Sequence, residues 1–187
     1  MADIITPEFI ATFVAIIRPS ANKKDDGTTE MEYSIRAAFP PNTDMTALKN
    51  AAREAAEAKW GANIPKILKS PFRTYAELEH EFEGIGADWI LMSFKAKERF
   101  KPGVVDENCQ DIIDQAEVYS GARFRAQVRA GAYEGKSKGV TFYLQNVQRL
   151  GHGEPLGQTR VPANKAFEAV AAAGPQGAPK NAANIFG

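Results

Sequence analysis

The sequence predicts a mainly β domain with inserted helices, and two neighbouring segments carry most of this prediction. From Ala122 to Ala130, apolar and polar residues alternate one by one, which is typical of a strand with one face in a core. A second alternating segment, Val140 to Leu144, follows the turn-forming residues 134–139, so the two segments predict a β-hairpin. Three further segments have the character of strands: 9–17, 31–39 and 88–97.

The composition is that of an ordinary globular domain. The chain has 187 residues, of which 44% are hydrophobic and 25% charged, as in typical soluble proteins. Its 23 basic residues balance its 23 acidic residues. This balance excludes a wholly basic, histone-like protein but allows a local basic surface.

The single cysteine and the N-terminal sequence predict a cytosolic protein. Cys109 has no second cysteine with which to form an intrachain disulfide, so a reducing compartment is expected. The chain contains only two histidines to serve as a base for it, and a catalytic cysteine is not favoured. No basic stretch precedes the first apolar run, as a signal peptide would require, and that run is too short to span a bilayer.

The first two strands differ in their patterns. Residues 9–17 are apolar on both faces, which predicts a strand that is central in its sheet or covered by a partner, and a homodimer is one such arrangement. Residues 20–29 predict a polar loop. In the second strand, closed by Pro40 and Pro41, the side chains expected to face the core are Met31, Tyr33, Ile35, Ala37 and Phe39.

A helix is predicted between the second and third strands, over Thr43–Trp60. Thr43 or Asp44 can cap it, and Gly61 follows its last residue. Its apolar stripe consists of Met45, Leu48, Ala52 and Ala55. A short, acidic helix is expected over 75–82, where alternate glutamates would spread around the helix as a solvated face.

The third strand, 88–97, has a basic outer face. Ile90, Met92, Phe94 and Ala96 share the parity expected to face the core, whereas Trp89, Ser93, Lys95 and Lys97 share the other. Arg99 and Lys101 extend the basic run. Two interpretations stay open: an edge strand protected by its charges against aggregation, or a track for phosphates.

The outer face of the predicted hairpin is also basic and suggests a nucleic-acid surface. It carries Arg123, Arg125 and Arg129, and guanidinium groups pair well with phosphates. Parity places Tyr143 on the outside and Phe142 in the core. Tyrosine rings can stack on unpaired bases, so the stacking candidates are Trp89, Tyr133 and Tyr143. The alternative is an ordinary solvated strand face.

Two other chemistries are weaker alternatives. Gly131–Ser137 resembles a phosphate-binding P-loop, but it has three residues between its glycines instead of four, and a strand follows it. We therefore interpret it as a hairpin turn whose Lys136 and Lys138 can reach phosphates. The carboxylates between Asp106 and Glu117 admit a metal-dependent nuclease, although no histidine joins them.

Five short segments carry a resemblance to a known family. They are Lys95-Ala-Lys97-Glu-Arg99, Pro102-Gly-Val104-Val105-Asp106, Tyr119-Ser120-Gly121, Gly139-Val140 and Leu144-Gln-Asn-Val147-Gln148. In this order and spacing the chain resembles, over roughly residues 5 to 170, a bacteriophage family of single-stranded DNA-binding proteins that was formerly a domain of unknown function. The specificity lies in the order of the five segments, since none of them is specific alone.

The resemblance implies a five-stranded Greek-key barrel, the OB-fold, with a helix inserted between strands. It also implies a groove of aromatic and basic residues that binds single-stranded DNA without sequence specificity. By this resemblance Lys95, Lys97, Arg99 and Lys101 lie on the basic segment of the family, and Tyr119 lies in its Tyr-Ser-Gly segment. Arg123, Arg125 and Tyr133 lie in its hairpin.

The C-terminus departs from related proteins that end in an acidic tail with an aromatic tip. Residues 1–170 are expected to form the DNA-binding domain, and residues 171–187 to form a flexible tail. The tail has no acid, but it ends in Ile185, Phe186 and Gly187. Self-inhibition by charge is therefore not predicted, whereas recruitment of replication or recombination proteins through Ile185 and Phe186 is.

The sequence thus predicts a non-enzymatic single-stranded DNA-binding protein of phage replication or recombination, acting without a cofactor in the cytoplasm of the bacterial host. In this hypothesis lysines and arginines neutralise phosphates, and one or two aromatic rings stack on bases. The first alternative is a protein-interaction or scaffold module with a basic surface. The second is the metal-dependent nuclease.

Overall fold

The computed structural model describes residues 2–24, 27–75, 82 and 84–157. The predictions for the acidic helix, for the tail and for Ile185 and Phe186 lie largely or wholly outside the described residues. The elements are β1 (Ile4–Ile5), β2 (Phe9–Lys23), β3 (Thr29–Phe39), α1 (Thr46–Trp60), β4 (Arg73–Thr74), β5 (Ile90–Lys97), β6 (Gly103–Val105), β7 (Arg123–Glu134) and β8 (Lys138–Gly151). Within these residues, no helix is long and apolar enough to cross a membrane.

All eight strands belong to one sheet, ordered β1-β7-β2-β3-β5-β8-β6, with β4 paired to β5. The pair β5–β8 and the pair β6–β8 are parallel, and the other pairs are antiparallel. β7 pairs with β8 as well as with β2. Each of the five predicted strands overlaps an observed strand, which confirms the mainly β prediction.

The strand predicted over residues 9–17 is observed as β2. It is central in the sheet, which was one of the two predicted arrangements, and it is longer than predicted. β2 pairs with β3 along one edge and with β7 along the other. It extends to Lys23, so the predicted loop over 20–29 was too long, because Ser20–Lys23 pairs with Thr29–Glu32. A register shift between Ala15 and Ser20 accommodates Pro19, which has no N–H for the ladder.

The core is built around five buried phenylalanines from five strands. The Phe9 ring centroid lies 5.5 Å from that of Phe39, 6.0 Å from that of Phe94 and 6.3 Å from that of Phe124. Phe142 lies 6.2 Å from Phe94. Ala122, Phe124, Ala126, Val128 and Ala130 are all buried, so the alternation of this segment predicted its inner face.

The helix α1 closes one side of this core. It begins at Thr46, whose N–H donates to the Asp44 carboxylate at 2.9 Å. Leu48, Ala55 and Ala56 are its buried residues, packed in the main core. The indole N–H of Trp60 donates to Glu134 at 3.2 Å, which ties the end of α1 to the end of β7.

Candidate nucleic-acid interface

An open groove crosses the outer faces of β3, β5 and β8. Its largest part, about 630 Å³, lies between the loop that joins β2 to β3 and the loop that joins β7 to β8. Five lysines line this part, from four separate segments of the chain: Lys23, Lys24, Lys69, Lys95 and Lys136. Only Lys95 and Lys136 were among the predicted site residues.

Two smaller cavities continue the groove. One, of about 230 Å³, is lined by Arg36, Arg73 and Ser93 among others. The other, of about 170 Å³, is lined by Phe13, Arg36 and Ser93. Lys95 lines all three cavities, so we treat them as one surface, the basic groove.

Strand register explains why these side chains converge. In the pair β3–β5, Ser34 lies opposite Lys95 and Arg36 lies opposite Ser93. In the parallel pair β5–β8, Lys95 lies opposite Tyr143. Directly opposed residues point to the same side of a sheet. The outer parity of three strands therefore brings Arg36, Lys95 and Tyr143 to one side of the sheet.

A buried glutamate, Glu32, lies under the lysines of the groove. Its carboxylate accepts from Asn22 Nδ2 at 2.7 Å, lies 3.4 Å from Lys95 Nζ, and forms a close ion pair with Lys24. Burial raises the pKa of Glu32, but the hydrogen bonds from Lys24 and Asn22 and the lysine charges outweigh it, so this pKa is lowered. Burial likewise lowers the pKa of Lys24, but the hydrogen bonds and charges of Glu32 and then Glu30 outweigh it, so the pKa of Lys24 is raised.

The same region corrects the predicted faces at the start of β3. Met31 was expected in the core but is 42% exposed, whereas Glu32, on the opposite parity, is only 6% exposed. The alternation itself holds, because Tyr33 and Ile35 are buried. At this end of β3, burial depends on contacts from other segments. Asn22, Lys24 and Lys95 pack over Glu32, and the periodicity of the sequence does not predict these contacts.

Two arginines lie close together in the groove. The pKa of Arg36 is lowered, first by burial and then by the positive charge of Arg73. Both line the 230 Å³ cavity, together with Lys69 and Lys95. An anion placed there would meet several cationic side chains at once.

Two predicted tyrosines lie on the outer side, and each rests on a glycine. Tyr143 is 45% exposed, and its ring lies so close to Gly131 that a Cβ there would be 2.5 Å from Cε2. Tyr133 is half-buried and lines the groove. A Cβ on Gly139 would lie 2.6 Å from the Tyr133 hydroxyl. The two glycines thus provide space in which these rings lie against the sheet.

The three predicted arginines of β7 are exposed, but acids or amides hold them. Arg123 Nη1 lies 3.1 Å from the Glu8 carboxylate, and Arg129 Nε lies 2.7 Å from that of Asp3. The hydrogen bond from Arg129 to Asp3, together with the Asp3 charge, raises the pKa of this arginine. Arg125 Nε donates to the Gln148 side chain at 2.8 Å. None of the three lines the basic groove.

The basic run after β5 also lies outside the groove lining. Lys97, Arg99 and Lys101 are exposed. The Arg99 guanidinium lies 4.7 Å from the centroid of the Phe100 ring, a cation–π geometry. These cations can add to the positive field around the groove, but they do not line it.

Two predicted aromatic residues have structural partners instead of an open face. Trp89 is half-buried and packs on a second small cluster with Tyr75 and Leu91. The Tyr119 hydroxyl donates to the Gly153 carbonyl at 3.1 Å and lies 3.1 Å from His152 Nδ1. Tyr119 therefore fastens the segment that follows β8 to the domain.

The two lysines of the β7–β8 turn differ. Lys136 is exposed and lines the groove. Lys138 forms an ion pair with Glu134, four residues earlier. Its hydrogen bond, and then that of Trp60, lowers the pKa of Glu134.

The carboxylates of the nuclease alternative are used in local structure. Asp106 accepts from the N–H groups of Asn108 and Gln110, both at 2.8 Å. Asp114 accepts from Ala116 N at 2.9 Å, and Glu117 pairs with Arg149. Within the part of the chain that the structure describes, no group of three potential ligands is placed to hold a metal.

Several groove residues were not predicted from the sequence: Phe13, Lys23, Lys24, Arg36, Lys69 and Arg73. The adjacent lysines 23 and 24 gave a local signal, since they flank a polar loop. Phe13 gave none, because it sits among apolar residues and is turned outward at a register shift between Ala11 and Phe13. Its exposure is 43%.

The comparisons with other proteins agree with this architecture. A structure of the single-stranded DNA-binding protein of bacteriophage Enc34 in complex with ssDNA is similar, with a TM-score of 0.64 at 18% identity, over 83% of this chain and 89% of that one. The single-stranded DNA-binding protein gp2.5 of bacteriophage T7 gives a TM-score of 0.61 at 12% identity, over 95% and 99% of the two chains. These identities show a shared fold. No curated protein sequence matches.

One family model matches nearly the whole chain. It is described as the ssDNA-binding protein of Enterobacter phage Enc34, and it covers residues 2–176. This match confirms the resemblance inferred from the five ordered segments. The chain therefore belongs to the family of the Enterobacter phage Enc34 ssDNA-binding protein.

Proposed function

We propose that this chain binds single-stranded DNA without sequence specificity during phage DNA replication or recombination, in the infected bacterial cell, and that it protects and organises the strand without catalysis. The observation that carries the proposal is the basic groove, into which five lysines project from four segments. Membership of the family supports it, as does the resemblance of the fold to that of a protein solved with ssDNA.

Phosphate neutralisation and stacking divide the work in this mechanism. Lys23, Lys95 and Lys136 lie along the groove and pair with successive phosphates, which releases counterions and makes the affinity depend on salt. Tyr133 and Tyr143 offer ring faces to unpaired bases. Both contacts ignore base identity, because every nucleotide has a phosphate and every base a π-face.

We rank the predicted cations by their contacts. Lys95 and Lys136 line the groove and come first. The β7 arginines come second, because they do not line the groove. Lys97, Arg99, Lys101 and Lys138 contribute to the field around the groove, and Trp89 and Tyr119 contribute to stability more than to stacking.

We also propose that the five long strands form a Greek-key OB-fold barrel. Pairing runs from β2 through β3, β5, β8 and β7 and returns to β2. The parallel pair β5–β8 supports this topology. OB-folds bind along the face of their second and third strands and between two loops, and the groove has the corresponding position between the two hairpin loops.

Fluorescence anisotropy with a labelled oligo-dT of about 30 nucleotides tests the function, with duplex DNA and RNA as competitors at several salt concentrations. The expected result is a preference for the single DNA strand, with log K falling against log salt by about 0.7 per phosphate contacted. Lys95→Ala lowers this slope by about one such step, whereas Lys49→Ala, on an exposed position of α1, does not. Equal binding of duplex, or none at low salt, contradicts the proposal.

A protein-interaction module is the second candidate, and exposed apolar side chains favour it. Ile67 is 89% exposed, Ile113 87% and Phe100 60%. Such a module would show little salt-dependent binding of oligonucleotides in the same titration. Recruitment of replication proteins through Ile185 and Phe186 is a separate proposal, tested by deletion of these residues and measurement of partner binding.

A further inference from the structure

We propose that Phe13 and Arg36 form the two halves of one nucleotide subsite in the basic groove, in which Arg36 and Arg73 hold a phosphate and the Phe13 ring stacks on the attached base. This inference rests on the proposed binding of single-stranded DNA. It goes beyond it by naming a stacking residue and a phosphate site that sequence analysis did not predict.

The phosphate half is the 230 Å³ cavity. Arg36, Arg73, Lys69 and Lys95 line it, together with the hydroxyl residues Ser70, Ser93, Tyr133 and Thr141. Among the described residues that line it, none is an aspartate or glutamate. A phosphate placed there would accept charge-assisted hydrogen bonds, and it would relieve the repulsion between Arg73 and Arg36 that contributes to the lowered pKa of Arg36.

The base half is the 170 Å³ cavity, where Phe13 is 43% exposed. This aromatic ring lies on the solvent side of a central strand and does not pack in the hydrophobic core. The register shift between Ala11 and Phe13 turns this ring outward, and bulges commonly redirect a side chain near a functional site. Apart from Ile35, the other side chains that line this cavity are either small or polar, and the polar ones include the long Lys95 and Arg36.

Register joins the two halves. Phe13 lies directly opposite Arg36 in the β2–β3 pair, and Arg36 lies directly opposite Ser93 in the β3–β5 pair. Opposed side chains are about 5 Å apart at Cβ, and Arg36 and Ser93 line both cavities. The spacing suits a base and its own phosphate, which are neighbours within one nucleotide.

Two variants test the halves separately in the full chain. Phe13→Leu keeps an apolar side chain but removes the π-face, so we expect dT binding to weaken about 5- to 100-fold with an unchanged salt slope. Binding of an abasic oligonucleotide of the same length should not change. Phe13→Trp keeps an aromatic ring at this position, so its dT binding should stay close to that of the wild type. Arg36→Ala should weaken the binding of both oligonucleotides, oligo-dT and abasic, and lower the salt slope by about 0.7.

Matched controls come from exposed residues that do not line the groove. Phe100→Leu controls for the loss of an exposed ring, and Arg53→Ala for the loss of an exposed arginine. Urea unfolding of every variant verifies that the fold is retained. If the wild type binds dT but Phe13→Leu matches Phe100→Leu, the subsite is refuted and the proposed function stands. If the wild type does not bind dT at all, the proposed function itself has failed.

Discussion

The buried glutamate of the groove provides a prediction in which stability and DNA affinity change in opposite directions. Glu32→Gln keeps the shape of the side chain and removes one negative charge. The wild-type carboxylate contacts both Lys24 and Lys95, so the variant releases Lys95 toward the groove and leaves Lys24 with Glu30 alone, at 3.4 Å. We expect the folded state to become less stable and the complex with DNA to become tighter.

The magnitude follows from the exposure of the partners. The Lys24 side chain is 32% exposed and that of Lys95 is 41% exposed, so each ion pair contributes at most about 1 kcal/mol. The amide of Gln retains the hydrogen bond from Asn22. The expected loss is therefore at most about 2 kcal/mol in the free energy of unfolding. For DNA, each lysine that exchanges Glu32 for a phosphate steepens the salt slope by about 0.7.

The dependence on pH has a defined sign. The pKa of Glu32 is lowered from the ordinary value of 4.5, so the unfolded chain takes up a proton before the folded one does. The stability that this carboxylate contributes is complete well above pH 4.5, and it is lost as pH falls toward its folded pKa. The difference between the wild type and Glu32→Gln should therefore shrink on acidification.

Urea unfolding at pH 7 and below pH 4, with oligo-dT titrations at several salt concentrations, measures both effects. Glu57→Gln, at an exposed position of α1, is the matched control and should leave stability and affinity close to wild type. An unchanged salt slope for Glu32→Gln, with DNA affinity equal to or below that of the wild type, would refute the role of Glu32 as an internal counterion of the groove.

Three further predictions come from the structure: one for a glycine at the groove, one for a pair of aromatic residues on opposite faces of β8, and one for a buried arginine. Gly139→Ala should lower stability by about 1–3 kcal/mol, because its Cβ would lie 2.7 Å from the Lys69 carbonyl oxygen; a urea midpoint equal to wild type would contradict this. Phe142→Ala should lose about 3–5 kcal/mol in urea unfolding, whereas Tyr143→Ala, with its exposed ring, should weaken dT binding in the anisotropy titration and hardly affect stability; the reverse pattern would show that the faces are misassigned. Arg149→Met should change the thermal unfolding free energy by no more than about 1 kcal/mol, since its two carboxylate partners are half-exposed and its buried Nε has no hydrogen-bond partner; a loss above about 3 kcal/mol would overturn this argument.

The sequence alone determined the five long strands, the buried faces of most of them and the family. Side chains alternate along a strand because of the local backbone geometry. The pattern that includes Phe124 and Val128 therefore predicts an inner face, whichever strands are its neighbours. The same local rule placed Tyr143 outside and Phe142 inside, as the structure has them. The order of five short segments indicated the family, and the family model that matches residues 2–176 confirmed it.

Only the tertiary structure decided which cations form the groove. Asp3 neutralises Arg129, which lies 126 positions further along the chain, and Glu32 is buried because Lys24 and Lys95 cover it. A charge interacts with whatever lies within a few ångströms, and strand pairing brings together residues far apart in the chain. Periodicity therefore showed which side chains face outward, and the folded sheet alone determined which of them meet.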